Sequence, residues 1–582
     1  MSEYLTFQSA LIPFIEHDDP TRCQMADSQM RQSLILENPD SPLISTGYEN
    51  VEHIEYYMFK AKHDGKVLFK NNKIVILKYD DDNLDNTIDF FVLTFEYKCY
   101  FEKNDTFKRG DIIAEHRTMT NGNLKFGKNL LACYTELYGY LHEDSIIMSR
   151  SCANKYTSIH KGTLDLEIHP DTVLISLSDN PNEYQPLPLL GSVIKAGDPI
   201  IKTKLLTNSP KHLFQEPTIH TLPYDIEIYD IHIFPNKWNT NYSDYDRYIR
   251  SLKKNSKYVE NQINKLSGQL KESDIQYINH IIGAFIHKSN LLDKGLKFPS
   301  VKLKIEYIYK KYVQPGDKFA NRHGNKGVIS KILPDEEMPK TEDGRVIDII
   351  FGNLSIISRM NVGQLFELHT GMAIQTFKDK LLKMYETDPH GAITVLKNFT
   401  KDMDTTKDKW FSKHVDEMIN KYGDSKKLIE DYVFIQPPFE GMTKSQLDKL
   451  LNTCKTKQSY KIKINDKVVG PVALGYIYVL KLNHTVQDKL RVRSTGSYTT
   501  KYMTPPKGGA QRVGEMEVWS FMAYDAMSNL KEILIKSDNF GDKIRVYRKL
   551  YGTGFNSNLQ LVMEPASLTL FKRYFNVIGV SF

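Results

Sequence analysis

The stretch QPGDKFANRHGNKGVIS, residues 314–330, decides how the chain is read. Upstream lies VKLKIEYIY (301–309), whose apolar residues alternate with period two and predict a β-strand. Downstream the loop runs into VISKIL, a second apolar run. Gly316, Gly324 and Gly327 permit tight turns and close approach of the backbone to a ligand. Lys318, Arg322, His323 and Lys326 put several potential cations into one short loop, which suits phosphate. The spacing is not the G-x-x-x-x-G-K-[ST] of a P-loop. On these residues alone, a phosphate-binding loop and a solvated glycine-rich turn are both open.

Four other segments carry chemistry. DIIFGNLSIISRMNVGQLFELHTG (348–371) sets Arg359 in an apolar run, where a buried guanidinium needs an anion or a carboxylate. LIPFIEHDDPTRCQMADSQMRQS (11–33) brings Arg22, Arg31 and Gln32 near Asp18 and Asp19. For both segments a structural ion pair is the competing reading. LYGYLHEDSIIMS (137–149) holds the adjacent acids Glu143 and Asp144 at the start of an apolar run. If they lie on a strand they point to opposite faces and cannot chelate one ion together. One of them could still help hold a metal that arrives with a substrate, and the alternative is a turn acid beside a surface acid. KLNHTVQDKLRVRSTGSYTTKYMTPPKGGAQR (481–512) sets Lys481, Lys489, Arg491, Arg493, Lys501, Lys507 and Arg512 against the single acid Asp488, with Tyr498 and Tyr502 interleaved. That composition is the strongest nucleic-acid signal in the chain, with a solvated basic loop as its rival.

The rest of the chain supplies framework. Residues 60–100 alternate apolar and polar and predict strands, and YDDDNLDN (79–86) reads as a solvated turn rather than a metal site. Residues 243–271 predict a lysine-faced helix, and 425–455 look helical at both ends with a break at Pro437 and Pro438. In 515–537, Val518, Met522, Ala526 and Leu530 recur at helical spacing beside Trp519 and Ile533, and predict a core stripe.

With 582 residues, three to five packed units are expected. The charged fraction is 25% and the net charge +6, compatible with nucleic acid without requiring it. The five cysteines form no C-x-x-C pair, which argues against a cysteine-paired zinc site and suits a reducing compartment. No basic-then-apolar leader is read at the start, and no stretch approaches the roughly 18 apolar residues of a membrane span.

Eight runs, in this order, resemble the β (second-largest) subunit of multisubunit DNA-dependent RNA polymerases: LIPFIEHDD, NGNLKFGKN, HEDSI, QPGDKFANRHGNKGVISKI, SRMNVGQ, LGYIYVLKLNH, DKLRVRSTGSY and GEMEVW. They extend over essentially the whole chain. The resemblance implies a mixed α+β multidomain protein around a double-psi β-barrel, with flap/wall, hybrid-binding and clamp-base elements. The expected parts are a fork-loop and lobe-connecting segment (1–60) and the first part of the barrel core (61–164). The flap/wall (165–300) and the second part of the barrel with the nucleotide/RNA-binding loop (301–380) follow. A hybrid-binding region (381–480) and the switch segment with the β part of the clamp (481–582) complete the chain.

By motif position, the resemblance implies that Lys318 and Lys326 lie near the RNA 3′ end and incoming nucleotide. Arg22 and Arg359 match arginines that bind the triphosphate, and Gln32 a glutamine on the RNA side. Lys489, Arg491, Arg493, Lys501, Lys507 and Arg512 fall in the segment lining the RNA–DNA hybrid. Asp144, with Glu143 beside it, matches an acid near the second Mg2+. The family's principal Mg2+ ligands sit in a β′ motif, NADFDGD, that is not found in this sequence. The chain is therefore expected to be inactive alone.

The family pattern begins midway through an ordinary β chain, as in the split β chains of giant bacteriophages. The implied partners are a chain with the N-terminal half of β, β′-type chains, a promoter-specificity factor, template DNA, nascent RNA and NTPs, with no membrane. The implied place is the cytoplasm of a host bacterium, with virion packaging as the alternative. The sequence departs from the pattern at Asn321, which replaces the Gly before RHG in DKMAGRHG, and at GYLHED (139–144) in place of GYNFED. It departs again at Arg491, where a His is usual, and at SQMRQ (28–32) in place of NMQRQ. The rival readings are a degenerate β-like scaffold and a self-contained polymerase or nuclease. Intact Lys318, Lys326, Arg22 and Arg359 argue against the first, and the missing acidic triad against the second.

Overall fold

The computed structural model describes residues 5–50, 57–70, 74–80, 88–168, 172–178, 185–189, 191–205, 216–235, 301–406, 409–423, 425–465, 467–489, 513–530 and 566–581. The lysine-faced helix expected over 243–271, most of the acidic turn at 79–86 and the residues from Arg491 to Arg512 lie outside them.

Six strands, numbered here along the chain, close on themselves. They are β1 (Lys128–Tyr134), β2 (Ser145–Ser149), β3 (Lys318–Asn321), β4 (Lys326–Leu333), β5 (Ile349–Phe351) and β6 (Lys467–Lys481). The pairing order is β1–β5–β2–β4–β3–β6, and β6 pairs back onto β1. The β1–β5 and β2–β4 neighbours are parallel, and the other four pairings are antiparallel. Because strand side chains alternate, each wall strand feeds two cores. Leu130, Ala132, Tyr134, Ile146, Met148, Phe319, Ile329, Ile349, Phe351, Ile477 and Val479 form one cluster that draws on all six strands. Leu131, Cys133, Ile147, Ile350 and Leu474 enter another on the opposite face. A wall covered on both faces explains why β1 and β5 read as continuous apolar runs rather than alternating ones.

Two large insertions interrupt the ring. Between β2 and β3, the strand Ser158–Ile168 pairs along its whole length with Val301–Lys311, which pairs in turn with Ile226–Pro235. That sheet runs across 164/165 and pairs residues 226–235 with 301–311. Between β5 and β6 lie two short helices, α2 (Leu354–Arg359) and Lys426–Glu430, and four longer ones: α3 (Gly363–Tyr385), α4 (Pro389–Met403), α5 (Trp410–Tyr422) and α6 (Lys444–Cys454). Ile374, Phe377 and Leu381 of α3 pack with Leu396 and Phe399 of α4 and Leu450 of α6. Each such side chain contributes about 1.5–3 kcal/mol on burial.

Ahead of β1 come α1 (Pro20–Arg31) and two small antiparallel sheets within 58–116. Asp19 caps α1 by accepting from the Thr21 amide, and Pro20 opens it with a preset φ. The strands expected over 60–100 and 301–309 and the two helical ends of 425–455 are present.

By contact, the chain divides into 1–488 and 489–582. In the second unit the described residues include α7 (Glu515–Ala523) and α8 (Ala566–Val577). The core stripe expected there is corrected: α7 stops at Ala523, Asp525 takes a left-handed φ of 51°, and Trp519 and Met522 are 58% and 57% exposed. Of the stripe only Leu530 is buried among the described residues. No helix among the described residues is long and apolar enough to cross a membrane.

Candidate functional site

The loop that opened the sequence reading is the β3–β4 hairpin. Lys318 pairs with Val328, and Ala320 with Lys326, so Lys318 and Lys326 are diagonal neighbours on one face. Phe319 and Gly327 take the other face, toward the core. Lys326 is exposed and has no partner among the described residues, while Lys318 is half-buried.

The turn joining the strands is sunk into the protein. Arg322 is 1% exposed; its Nη2 donates to Glu367 Oε1 at 2.7 Å and to the Ile44 carbonyl at 2.9 Å, and its guanidinium lies over the Tyr478 ring. Glu49 Oε1 lies 3.9 Å from its Nη1. His323 is fully buried, with Nδ1 2.6 Å from Asp18 Oδ2 and Nε2 2.6 Å from Glu367 Oε2. Burial opposes a charge on this imidazole, but Asp18 and Glu367 outweigh it and raise its pKa to about 9. Burial likewise opposes the Glu367 carboxylate, and Arg322 and His323 overcome that and hold it near about 2. Arg322 and His323, counted among the loop's potential cations, therefore have internal roles, and neither the phosphate nor the solvated-turn reading applies to them. Their charges are consumed by Asp18, Glu49 and Glu367.

Asn321, the departure from the family pattern, is fully buried and builds the turn. Its Oδ1 accepts from the amides of His323 and Asn325, and its Nδ2 donates to Gln364 Oε1 at 2.9 Å. Gln364 also accepts from the Tyr134 hydroxyl and donates to Asn361, whose side chain donates to the His323 carbonyl. The RHGN and SRMNVGQ segments thus form one hydrogen-bonded body.

Two glycines admit the other segments. A Cβ on Gly324, whose φ is +73°, would stand 2.4 Å from the Arg22 carbonyl oxygen. A Cβ on Gly327 would stand 2.4 Å from the Asp144 carbonyl oxygen, which accepts from the Val328 amide. The start of α1 and the acidic turn before β2 are accordingly pressed against the hairpin. Both acids precede β2, which starts at Ser145, and lie in a turn, with Glu143 at a left-handed φ of 49°, so the turn reading weighed for them holds and the strand reading does not.

Arg359, the last residue of α2, forms an ion pair through Nη2 with the Asp144 carboxylate and donates Nη1 to Asn325 Oδ1 at 3.3 Å. Its side chain is 18% exposed against 40% for Asp144. Arg22 makes no ion pair among the described residues; its Nη1 rests on Met25 Sδ. Partial burial and the nearby Arg359 charge lower its pKa, with Asp144 and Asp19 acting in the opposite direction. Arg22, Arg359 and Asp144 therefore share one electrostatic neighbourhood beside Lys326.

Gln32 ends α1, and its Oε1 lies 2.9 Å from His484 Nε2, which joins the first motif to the LNH segment. Arg31 pairs with Asp27 within the same helix. Lys481, counted with the basic stretch, is corrected to a core residue: its Nζ reaches Ser158 Oγ and the Tyr156 and Lys311 carbonyls, and burial lowers its pKa to about 8. Lys489 is exposed at the end of the helix Val486–Lys489.

Asp230, His232 and Glu306 bring ligand-type atoms within 4.8 Å of one another on the inserted sheet. Lys161 at 2.6 Å and Lys304 at 3.4 Å already neutralise Glu306, so the set is a self-contained ion network. The sequence reading missed Asn321, Asn361, Gln364 and Glu367 as site builders. The acid and amides set among the apolar residues of 361–368 were the available signal.

A closed six-stranded ring thus carries a hairpin with two lysines on one face and an arginine–carboxylate pair at its edge. The chain matches RNA polymerase Rpb2, domain 6, over residues 9–511, and belongs to that family. It is similar to the DNA-directed RNA polymerase subunit beta of Ehrlichia ruminantium, with 28% identity over 94% of this chain and 47% of that protein. The subunit beta of Geobacter metallireducens is 29% identical over 94% of this chain and 49% of its own length. For Mesoplasma florum the values are 28%, 100% and 40%. The chain thus spans about half the length, or less, of these curated relatives.

Proposed function

We propose that the chain forms the β side of the active centre of a DNA-dependent RNA polymerase, and that it binds the incoming NTP, the RNA 3′ end and the RNA–DNA hybrid. The observation that carries this reading is the convergence of Lys326, Arg22, Arg359 and Asp144 around the β3–β4 hairpin, with Lys318 on the same face. In nucleotidyl transfer the RNA 3′ hydroxyl attacks the α-phosphate and pyrophosphate leaves. Negative charge gathers on the phosphates, and cations fixed beforehand stabilise it without reorganisation. Arg22 and Arg359 would hold the triphosphate, and Lys318 and Lys326 the reacting end.

Mg2+, which the family implies, would neutralise the entering and leaving oxygens. Asp144 and the exposed Glu143 fit a contact to an ion that arrives with a triphosphate. They do not make a resident site, because Asp144 is already paired with Arg359. The principal ligands are assigned to a β′-type partner.

The same reading takes the six-stranded ring as a double-psi barrel, a reading supported by the two parallel pairings within an otherwise antiparallel wall. It takes the inserted sheet as part of the flap/wall, 489–582 as the clamp side, and Lys489 to Arg512 as hybrid contacts made through the backbone phosphates. It extends to a split β of giant-phage type, working with a second β polypeptide and a promoter factor in a bacterial host. The masses of the chains that co-purify with the native protein test that part.

The central test is template-directed ribonucleotide incorporation by the chain alone, by its co-purified complex, and by that complex carrying Lys326→Ala. Activity only in the wild-type complex supports the reading. Activity of the lone chain overturns it, and full activity of the variant complex removes Lys326 from the reacting centre.

A further inference from the structure

The two arms of Arg359 are held differently. Nη1 is given to Asn325, which is 5% exposed and is itself fixed by Asn321 and Gln364. Nη2 is given to Asp144, the more exposed of the pair. The Asp144 backbone is pinned, since its carbonyl accepts from Val328 and abuts Gly327, so only its side chain is at liberty to leave. Arg22, Lys326 and Arg359 meet the acids Asp19, Glu143 and Asp144 at this edge, with Lys318 on the same face of the hairpin as Lys326. Of the two acids before β2, Asp144 has the arginine and Glu143 pairs with no cation among the described residues.

We propose that Asp144 is a stand-in anion: it occupies the Nη2 arm of Arg359 in the empty site, and an arriving triphosphate displaces it. The proposal rests on the polymerase reading for the identity of the triphosphate. Exchange keeps Arg359 in place throughout, because its other arm stays on Asn325. It also links two events at one turn: the guanidinium changes anion, and the Asp144 carboxylate is freed toward any cation that the phosphates carry. A weakly charged anion gains too little from Nη2 to displace Asp144, so the pair screens the site against phosphate monoanions and favours polyphosphate.

Binding of inorganic tripolyphosphate to the full-length chain, with a chelator present, tests the exchange without turnover. Asp144→Asn should bind about 2–5-fold more tightly, the range set by a partly exposed ion pair. Glu143→Gln removes an equal charge from the same turn and should change binding less. In an Arg359→Gln background, which removes the guanidinium and its charge, the gain from Asp144→Asn should vanish.

An equal gain from both acids, a gain that persists without Arg359, or no binding by the wild type would overturn the exchange. The parent reading is judged separately, by incorporation in the assembled complex. Incorporation with a failed cycle removes only the exchange, and absent incorporation removes the polymerase assignment.

Discussion

The imidazole of His323 meets the carboxylate of Glu367 at 2.6 Å where neither is reached by water. Its other nitrogen meets Asp18, so one side chain ties together the hairpin turn, α3 and the segment before α1. Breaking such a buried pair strands a charge, and His323→Ala should cost about 3–5 kcal/mol in chemical denaturation. The folded pKa of His323 is raised to about 9, above the ordinary 6.5. Its contribution is therefore complete below about pH 6.5 and is lost as pH rises through about 9. Glu367 is depressed to about 2 from 4.5, so its contribution is present above its ordinary value and fades as pH falls toward about 2. A stability profile of the wild type should show an alkaline limb that His323→Ala lacks; matching limbs would refute the charged bridge.

Asn321 supplies three hydrogen bonds inside the turn. Restoring the family's glycine, Asn321→Gly, should destabilise this protein by ~1–3 kcal/mol, since the Gln364 oxygen and two amides lose a buried partner. Thermal unfolding is the measurement. A neutral or stabilising result would mean that the turn is held by Arg322 and His323 alone.

A methyl group at Gly327 would collide with the Asp144 carbonyl oxygen and, at 2.6 Å, with the Ile146 side chain. Gly327→Ala should cost ~1–3 kcal/mol through overpacking and weaken tripolyphosphate binding by shifting the acidic turn. Unchanged stability and binding would show that β2 yields without consequence.

Arg359→Ala should leave co-purification with partner chains intact while slowing nucleotide incorporation by a factor on the order of 10²–10³. An unaltered rate at both limiting and saturating nucleotide would take Arg359 out of the site.

The strands and the site were legible to different degrees. Alternation announced Val301–Lys311 because one pattern of side chains faces a core. The closure of the ring was not readable from local pattern, because it depends on which distant strands pair. Colinear motifs pointed to Arg359 and Asp144, and their ion pair is the structural alternative weighed for the arginine. Composition misled at Arg322, His323 and Lys481, since a charged residue looks solvated until the acids or carbonyls that bury it are in view. At α7 the apolar stripe is real, but within this chain Trp519 and Met522 have nothing over them among the described residues.

The ring's last wall has a temporal meaning. β1 is sealed only when β6 pairs with it, from Lys128 opposite Val479 to Tyr134 opposite Ala473, and both insertions separate the two in the chain. During synthesis β1 therefore leaves the ribosome long before its partner and must wait with an unpaired, apolar edge. Such an edge invites strand addition from other nascent chains. The hairpin that bears Lys318 and Lys326 is finished early, yet it cannot be locked to β6 until Lys481 has been made. Yield of this protein should consequently depend on elongation speed and on chaperones that shield β1 during that interval.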